Sequence, residues 1–499
     1  MLKVSFNQFG KAKAIVNAGF RSADYKGKRV MDSLNRIDPE LEFFGIGGEE
    51  MKKDKRFTNY GDINLADDKC FHPHLNGDID ANFYLYPWML QNNINNTRVI
   101  QSMKKDNFFY QIQPVNDNVE LIVSVNNTLL SNRLNQKIDR MYKDQKKLKP
   151  FTIHIDKTSR KFKMLDREYL DYFISTCNKT PINTTGFQFP GKFIGKQVIF
   201  DAYSYLYRQS DKFEKLVKDN MIYLNPSLNS HILEEIIFNM RLDYRKANNI
   251  DESALVFFVS LGNTKEEILG NYKAVIDGLN VFKNNHIKKN TGKNLHILLN
   301  WHDSIKDYGN IIREFTKTGI DVTIVFGEKD RYEAMASADL GACAEGDAVL
   351  ECAVLQLPTQ ILNHSSFIKA YKSLLFNVYE NELNIQADGE VLPELIGRNF
   401  GRKIAEIWNE WLEDNQTRYR MATKTNRYLL ELLPQPQSKT NQFAIEIDSN
   451  IFTGFTNPEK ELEVFLKDAL VDYREMRDGN LARSEFTRRR ESKIGFGFD

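Results

Sequence analysis

The sequence predicts an α/β chain made of two doubly wound, parallel-sheet domains that face each other across a cleft and end in a C-terminal extension. Three observations predict it. The N-terminal half opens strand–helix–strand, with strand-like runs at Ala14–Ala18 and Leu41–Ile46 flanking a helix-like segment that ends near Leu34. That order suits parallel strands joined by a crossover helix. A second alternation starts at residue 254, with strands at 254–262, 295–301 and 321–327 and helices at 264–285 and 304–317. The length, 499 residues, exceeds what one hydrophobic core ordinarily supports.

Taken in chain order, the strand 41–46 ends in the glycine turn GIGG. Residues 52–118 are polar, Asn-rich and weakly periodic, with an aromatic cluster, FYLYPWML, at 83–90, and read as an insertion or a divergent helical stretch. A strand at Val119–Val125 precedes a basic helical segment, 133–148, and the strand-like FTIHI. FPGKFIGKQVIFDAY (189–203) reads as the crossing from the first domain, 1–200, into the second, 201–433. Residues 204–250 read as polar helix and connector. The helix from Thr264 opens on a capping box with Glu267, in which side chains satisfy otherwise unpaired backbone donors. Its apolar positions Ile268, Tyr272, Val275, Ile276, Leu279 and Phe282 keep helical spacing. A helix over 402–432 is stopped by Pro434-Gln-Pro436. The extension, 434–499, holds a charged helical stretch at 457–477 and a basic tail with Arg488, Arg489 and Arg490 in a row.

Composition narrows the function classes. A formal net charge of +1 supplies no global field for nucleic acid or membrane, so such a partner needs a local patch. No apolar run approaches the length of a membrane-spanning helix. Cys70, Cys177, Cys343 and Cys352 have neither metal-ligand spacing nor the density of a disulfide framework, and read as reduced, partly buried thiols. No metal site and no cofactor is expected. The first thirteen residues contain Lys3, Lys11 and Lys13 and no acid, as an organelle-targeting start does.

The most informative stretch is Tyr332–Pro358, a buried strand, a short turn and the opening of an apolar helix. Backbone N–H groups at such a helix start carry partial positive charge and suit a phosphate. The turn is Glu345-Gly346-Asp347, however, with a carboxylate on each side of the glycine where an anion would sit.

In their order, five segments resemble the lipid-A-disaccharide synthase family: FFGIGGEEM (43–51), VELIVSVNNTLLSNRL (119–134), GKFIGKQV (191–198), MASADLGACAEGDAVLEC (335–352) and NIQADGEVLPELIG (384–397). The resemblance spans roughly residues 14–432, with 52–118 poorly matched. It implies a GT-B fold of two Rossmann-like domains, and a hexosyltransferase that uses a UDP-activated donor and a glycolipid acceptor. The polar positions depart from the family pattern. Its strand-end aspartates fall on Asn126 and Leu129, neither of which can act as general base at neutral pH. Its His-Pro becomes Lys196-Gln197, and its arginine after the first strand of the second domain becomes Leu261, between the retained Ser260 and Gly262. In the first loop Asp24 is kept and reads as a helix N-cap, while His154 reads as a structural histidine. Glu351 matches an acid for ribose hydroxyls, and Asn384, Glu390, Pro393 and Glu394 match the late loop. The two carboxylates there either bind ribose or cap the following helix. Ser260, Gly262, Gly346, Glu351, Glu390 and Glu394 thus form the expected vestigial nucleotide-sugar site, with no catalytic residue assigned.

Losing one transition-state electrostatic donor costs roughly a hundred- to a thousandfold in rate. Losing a general base costs roughly a hundred- to ten-thousandfold. The expectation is therefore a pseudoenzyme, serving as a structural or interaction subunit of a larger assembly. Its expected location is the mitochondrion, with the cytoplasm as alternative, and protein subunits are the expected partners. The alternative function is an active UDP-sugar-dependent glycosyltransferase with Lys196 and Lys265 as phosphate cations. A third reading has the tail, 480–499, contact RNA.

Overall fold

A computed structural model describes residues 12–60 apart from 19 and 20, 119–156 apart from 126, 127, 145 and 146, and 170–176. It further describes 191–301 apart from 219, 263, 264 and 289–292, 309–364, 381–435 apart from 388, 398, 399 and 415, and 444–486 apart from 448, 449, 483 and 484. The chain forms two compact units, Met1–Gly195 with Pro458–Asp499, and Lys196–Asn457.

In the first unit, β1 (Lys13–Ala18), helix α1 (Arg21–Ile37) and β2 (Glu42–Ile46) are followed by a short helix α2 (Glu49–Lys52) and β3 (Phe57–Asn59). After these come β4 (Val119–Val125), α3 (Thr128–Asp144), β5 (Phe151–Asp156), β6 (Tyr172–Ser175) and β7 (Gly191–Phe193). The sheet order is β3-β2-β1-β4-β5-β6-β7, and its paired strands are parallel. Every residue of β4 is buried, as expected of a strand covered on both faces. One face packs Val16, Val123 and Ile153 into a core shared with α1; the other packs Ile15 and Ile122 against Leu134 and Ile138 of α3.

The second unit contains α4 (Gln197–Tyr207), β8 (Val217–Lys218), β9 (Met221–Leu224), α5 (Asn229–Ala247), β10 (Leu255–Ser260), α6 (Lys265–Lys288) and β11 (Leu295–Asn300). It continues with α7 (Gly309–Thr316), β12 (Asp321–Val325), α8 (Glu328–Ser337), β13 (Leu340–Ala344), α9 (Asp347–Val354) and β14 (Thr359–His364). It closes with α10 (Glu382–Ala387), β15 (Glu394–Gly397), α11 (Gly401–Glu413), α12 (Thr417–Glu431), β16 (Ala444–Ile447) and β17 (Asn450–Thr456). The main sheet runs β12-β11-β10-β13-β14-β15, all parallel. Its centre buries Phe257, with Trp408 of α11 at 4.7 Å between ring centroids. Both main sheets have the doubly wound order, so the chain holds the two Rossmann-like domains of the GT-B class.

Arg245, near the end of α5, is 1% exposed. It donates to the carbonyls of Ser337 (3.0 and 2.8 Å), Glu252 (2.9 Å) and Ala254 (3.0 Å) and to Asp339 (2.9 Å). Asp339 in turn accepts from the backbone of Val256 (2.9 Å) and from Arg241 (2.5 Å). One planar fork thus ties α5 to the starts of β10 and β13.

Three sequence expectations change. The stretch 52–118 is not wholly an insertion, because β3 pairs with β2 at Phe43↔Phe57 and extends the sheet. The helix expected over 402–432 is two, α11 and α12, interrupted where Thr417 N–H donates to the carbonyl of Asp414 (3.0 Å). The stretch 434–499 is divided: β16 and β17 join β9 and β8 in a four-stranded antiparallel sheet of the second unit. The charged stretch after them is helix α13 (Pro458–Arg477) of the first unit. Its Leu462, Leu466, Leu470 and Tyr473 complete the core under α1, and Arg474 and Arg477 close on Glu120, a β4 carboxylate only 2% exposed. A lone buried carboxylate is costly, so these arginines fix where the helix lies. The capping box at Thr264, the aromatic cluster at 83–90, Cys70, Cys177, the N-terminal lysines Lys3 and Lys11 and the arginine run at 488–490 lie outside the described residues.

Replacing Arg245 by Met is expected to destabilise the second unit by about 3–5 kcal/mol, since Asp339 and three carbonyls lose their shared donor. Arg245→Lys is expected to recover little of this, because one ammonium cannot span the fork. Urea unfolding midpoints of the full chain measure both, and a midpoint of Arg245→Met equal to wild type contradicts the assignment.

Candidate functional site

In a doubly wound sheet the strand order reverses at one place, and the carboxyl ends of the two strands there diverge to leave a crevice. In the second unit this place lies between β10 and β13, which pair at Ser260↔Cys343. The loops leaving it are Leu261-Gly262 and Glu345-Gly346-Asp347. The structure therefore brings Ser260, Gly262 and Gly346 to one crevice.

What the chain has put there differs from an anion cradle. Leu261 is buried at 2% exposure in the hydrophobic core, and its carbonyl accepts from Asn271 (2.9 Å). Ser260 Oγ accepts from Asn300 on the next strand (3.2 Å). Gly262 has φ of +118°, and a Cβ there would stand 2.5 Å from Cβ of Glu267, so glycine is required. Gly346 caps α9 with φ of +144° and has no atom within 4 Å of where a Cβ would lie. The turn is open, but the Glu345 N–H already donates to the carbonyl of Leu362 (3.2 Å), and the carboxylates of Glu345 and Asp347 flank the glycine, where negative charge opposes an incoming phosphate.

Glu351 lies in α9, one turn beyond, 2% exposed. Arg331 of α8 grips it by both oxygens, Nε to Oε2 at 2.8 Å and a terminal nitrogen to Oε1 at 2.6 Å. Burial pushes the Glu351 carboxyl up to about 7, while the charge and hydrogen bonds of Arg331 pull the other way. Sequence reasoning missed Arg331. The available signal was the buried acid itself, which requires a cation or a proton, but no spacing rule names a partner on another helix.

The late loop is also internally committed. Glu394 accepts from Asn363 (3.3 Å), from Asn384 (3.4 Å) and from the backbone of Asn381 (3.4 Å). Asn384 closes the turn by accepting from Val391 (2.8 Å) and Leu392 (3.0 Å). Neither Glu390 nor Glu394 caps the helix that follows, because the N-cap of α11 is Phe400 and no side chain caps it. Glu394 instead opens β15, and Glu390 accepts from its backbone N–H (3.4 Å).

Lys196 is not an available phosphate cation. Its ammonium lies 2.5 Å from Glu382 of α10, with the two side chains only 4% and 6% exposed. The side chain of Lys265 lies outside the described residues, as do Asn126 and the side chain of Leu129. Asp24 does cap a helix, but not its own: from within α1 it accepts the backbone N–H groups of Gly48 (2.7 Å), Glu50 (2.9 Å) and Met51 (3.2 Å) at the start of α2. His154 is fully buried in β5 and stacks on Phe173, consistent with its structural reading. Cys343 and Cys352 are buried free thiols with sulfurs 3.7 Å apart, and burial pushes the Cys343 thiol up, which keeps it unreactive.

Two outcomes follow. The fold raises the Glu351 carboxyl from its ordinary 4.5 to about 7, so the folded chain holds a proton there that the unfolded chain does not. Between these values the stability of wild type relative to Glu351→Gln is expected to fall as pH rises, by about 1.4 kcal/mol per pH unit at most. Urea midpoints of both proteins from pH 4 to pH 8 measure it, and a constant difference contradicts it. Gly346→Ala is expected to cost about 1–3 kcal/mol through backbone strain alone, since no neighbour would clash. Thermal denaturation reads that cost directly.

Comparison with known proteins agrees with this second unit. Residues 231–447 match a family model described as lipid-A-disaccharide synthetase. The lipid-A-disaccharide synthase of Rickettsia prowazekii is 29% identical over 206 residues, covering 40% of this chain and 51% of that protein. That of Rickettsia canadensis is 25% identical over 237 residues, covering 46% of this chain and 57% of that protein. The matched stretch thus spans about half the length of these curated relatives. Among solved structures, UDP-GlcNAc 2-epimerase from Neisseria meningitidis bound to UDP-GlcNAc aligns with a TM-score of 0.44 and 11% identity, over 84% of this chain and 97% of that one. Acinetobacter baumannii MurG aligns with a TM-score of 0.43 and 11% identity, over 84% of this chain and 95% of that one. Through residues 231–447 of its second unit, the chain is similar to the lipid-A-disaccharide synthase family.

Proposed function

We propose that the chain is a catalytically silent member of this family, retained as a structural or interaction subunit of a larger, mitochondrial assembly. One observation carries the reading: the acid expected to meet a nucleotide ribose, Glu351, already has both oxygens engaged by Arg331. Once the Glu351 carboxyl has ionised, a ribose would have to displace a buried, bidentate, charge-assisted pair. The other polar positions support the same reading, since Lys196 is spent on Glu382 and Leu261 is core. Each such group would have to be freed before it could bind a ligand.

The alternative, an active UDP-sugar-dependent hexosyltransferase acting on a glycolipid, is favoured by one feature. Gly346 retains a positive φ and open space at the head of α9, the backbone geometry that phosphate approach requires. Among the described residues no helix is long and apolar enough to cross a membrane.

Calorimetric titration of the purified chain with UDP and UDP-sugars separates the two. The silent reading expects no saturable binding at sub-millimolar ligand. Sub-millimolar UDP binding that disappears in Gly346→Trp would establish a working donor site and overturn it. At native abundance the chain is expected to migrate with partner subunits in a large complex, and migration as a lone chain contradicts the subunit role.

A further inference from the structure

We propose that the second unit carries a separate binding site for a neutral saccharide, in a cavity of about 430 Å³ between the start of α5, the outer face of α12 and strand β17. That volume lies within the range of small-molecule sites. None of its lining residues belongs to the crevice at Gly346.

The chemistry of the walls selects the ligand class. Four hydroxyls line the cavity, from Ser227, Ser230, Thr423 and Thr453, and among the described residues none of the four is engaged in a hydrogen bond. The amide behind them is fully committed: Asn426 accepts from Tyr203 (3.2 Å) and from Asn229 (2.8 Å). The amide is therefore satisfied behind the wall, while Ser227, Thr423 and Thr453 are exposed and Ser230 half-buried, so their hydroxyls are open to a ligand. Leu430 and Phe455 supply apolar surface between the hydroxyls.

Arg427 and Glu431 stand 3.6 Å apart at the rim and balance each other's charge, with the arginine side chain 78% exposed. A phosphate or carboxylate ligand would find no excess of positive charge. An acyl chain would bury four hydroxyls without partners, which is costly. A hydroxyl both donates and accepts, so the best match is a ligand with several hydroxyls of its own around an apolar ring face. Glu431 also accepts from Gln386 (2.8 Å), so the exposed guanidinium of Arg427 is the rim group left to meet a sugar hydroxyl.

Calorimetry and saturation-transfer difference spectra on the full chain, with maltose, cellobiose and N-acetylglucosamine as probes, test the site. At least one probe is expected to bind saturably, and Thr453→Trp to weaken it tenfold or more. The double variant Ser227→Ala, Thr423→Ala removes hydroxyls without adding bulk and is expected to weaken binding about tenfold. Gly346→Trp is expected to leave it unchanged. Failure of all three probes overturns the proposal, as does a Thr453→Trp variant that binds like wild type. Loss of sugar binding in Gly346→Trp overturns it too, by moving the ligand to the other crevice. Because UDP binding is read separately, the silent-subunit reading stands or falls independently.

Discussion

The second unit depends on the guanidinium of Arg245. Parallel strands gain no register from a hairpin turn, so something at their amino ends must fix how β10 and β13 start relative to the helices that cover them. Arg245 does this by donating to three carbonyls and to Asp339, which itself holds the backbone of Val256. Burial alone would weigh against a charged guanidinium, and it does lower its proton affinity. The cost is met because every donor has an acceptor with good geometry. With the amino ends fixed, the carboxyl ends some five residues later are fixed as well, and with them Ser260, Gly262 and the turn at Gly346.

Charge satisfied from within recurs through the molecule. Glu120 in β4 is held by Arg474 and Arg477, Lys196 by Glu382, and Glu351 by Arg331. In each case a side chain that would be expensive to bury alone has a partner from a distant part of the chain. In the first unit the device fastens the returning helix α13 over β4. At the Gly346 crevice its effect is different, because groups that could meet a ligand are consumed by the fold. The backbone there keeps the shape of a phosphate turn, while Glu345 and Asp347 give it the opposite field.

Much of this was legible in the chain. The strands at 14–18, 41–46, 119–125 and 254–262 showed as short apolar runs bounded by turn residues, and long periodic helices such as α6 showed by their spacing. Asp24 was legible as a capping residue but not as the cap of α2, because a cap normally serves the helix that follows it. The single helix expected over 402–432 was misleading because α11 and α12 share helical character and lack a Gly or Pro between them. Edge strand β3 is only three residues long, too short to show alternation among polar neighbours.

The sequence by itself determined the two parallel sheets, the location of the turn at Gly346 and its two flanking acids. These are local properties, set by period, propensity and the residue types that a turn admits. Only the tertiary structure decided which charge answers which. Arg331 reaches Glu351 across 20 residues, Lys196 meets Glu382 across 186, and Arg474 finds Glu120 across 354. Such pairings depend on how helices are laid against a sheet, and ion pairs carry no sequence spacing of their own. The family resemblance was therefore written in the apolar framework, while the commitment of the polar residues emerged only when the chain had folded.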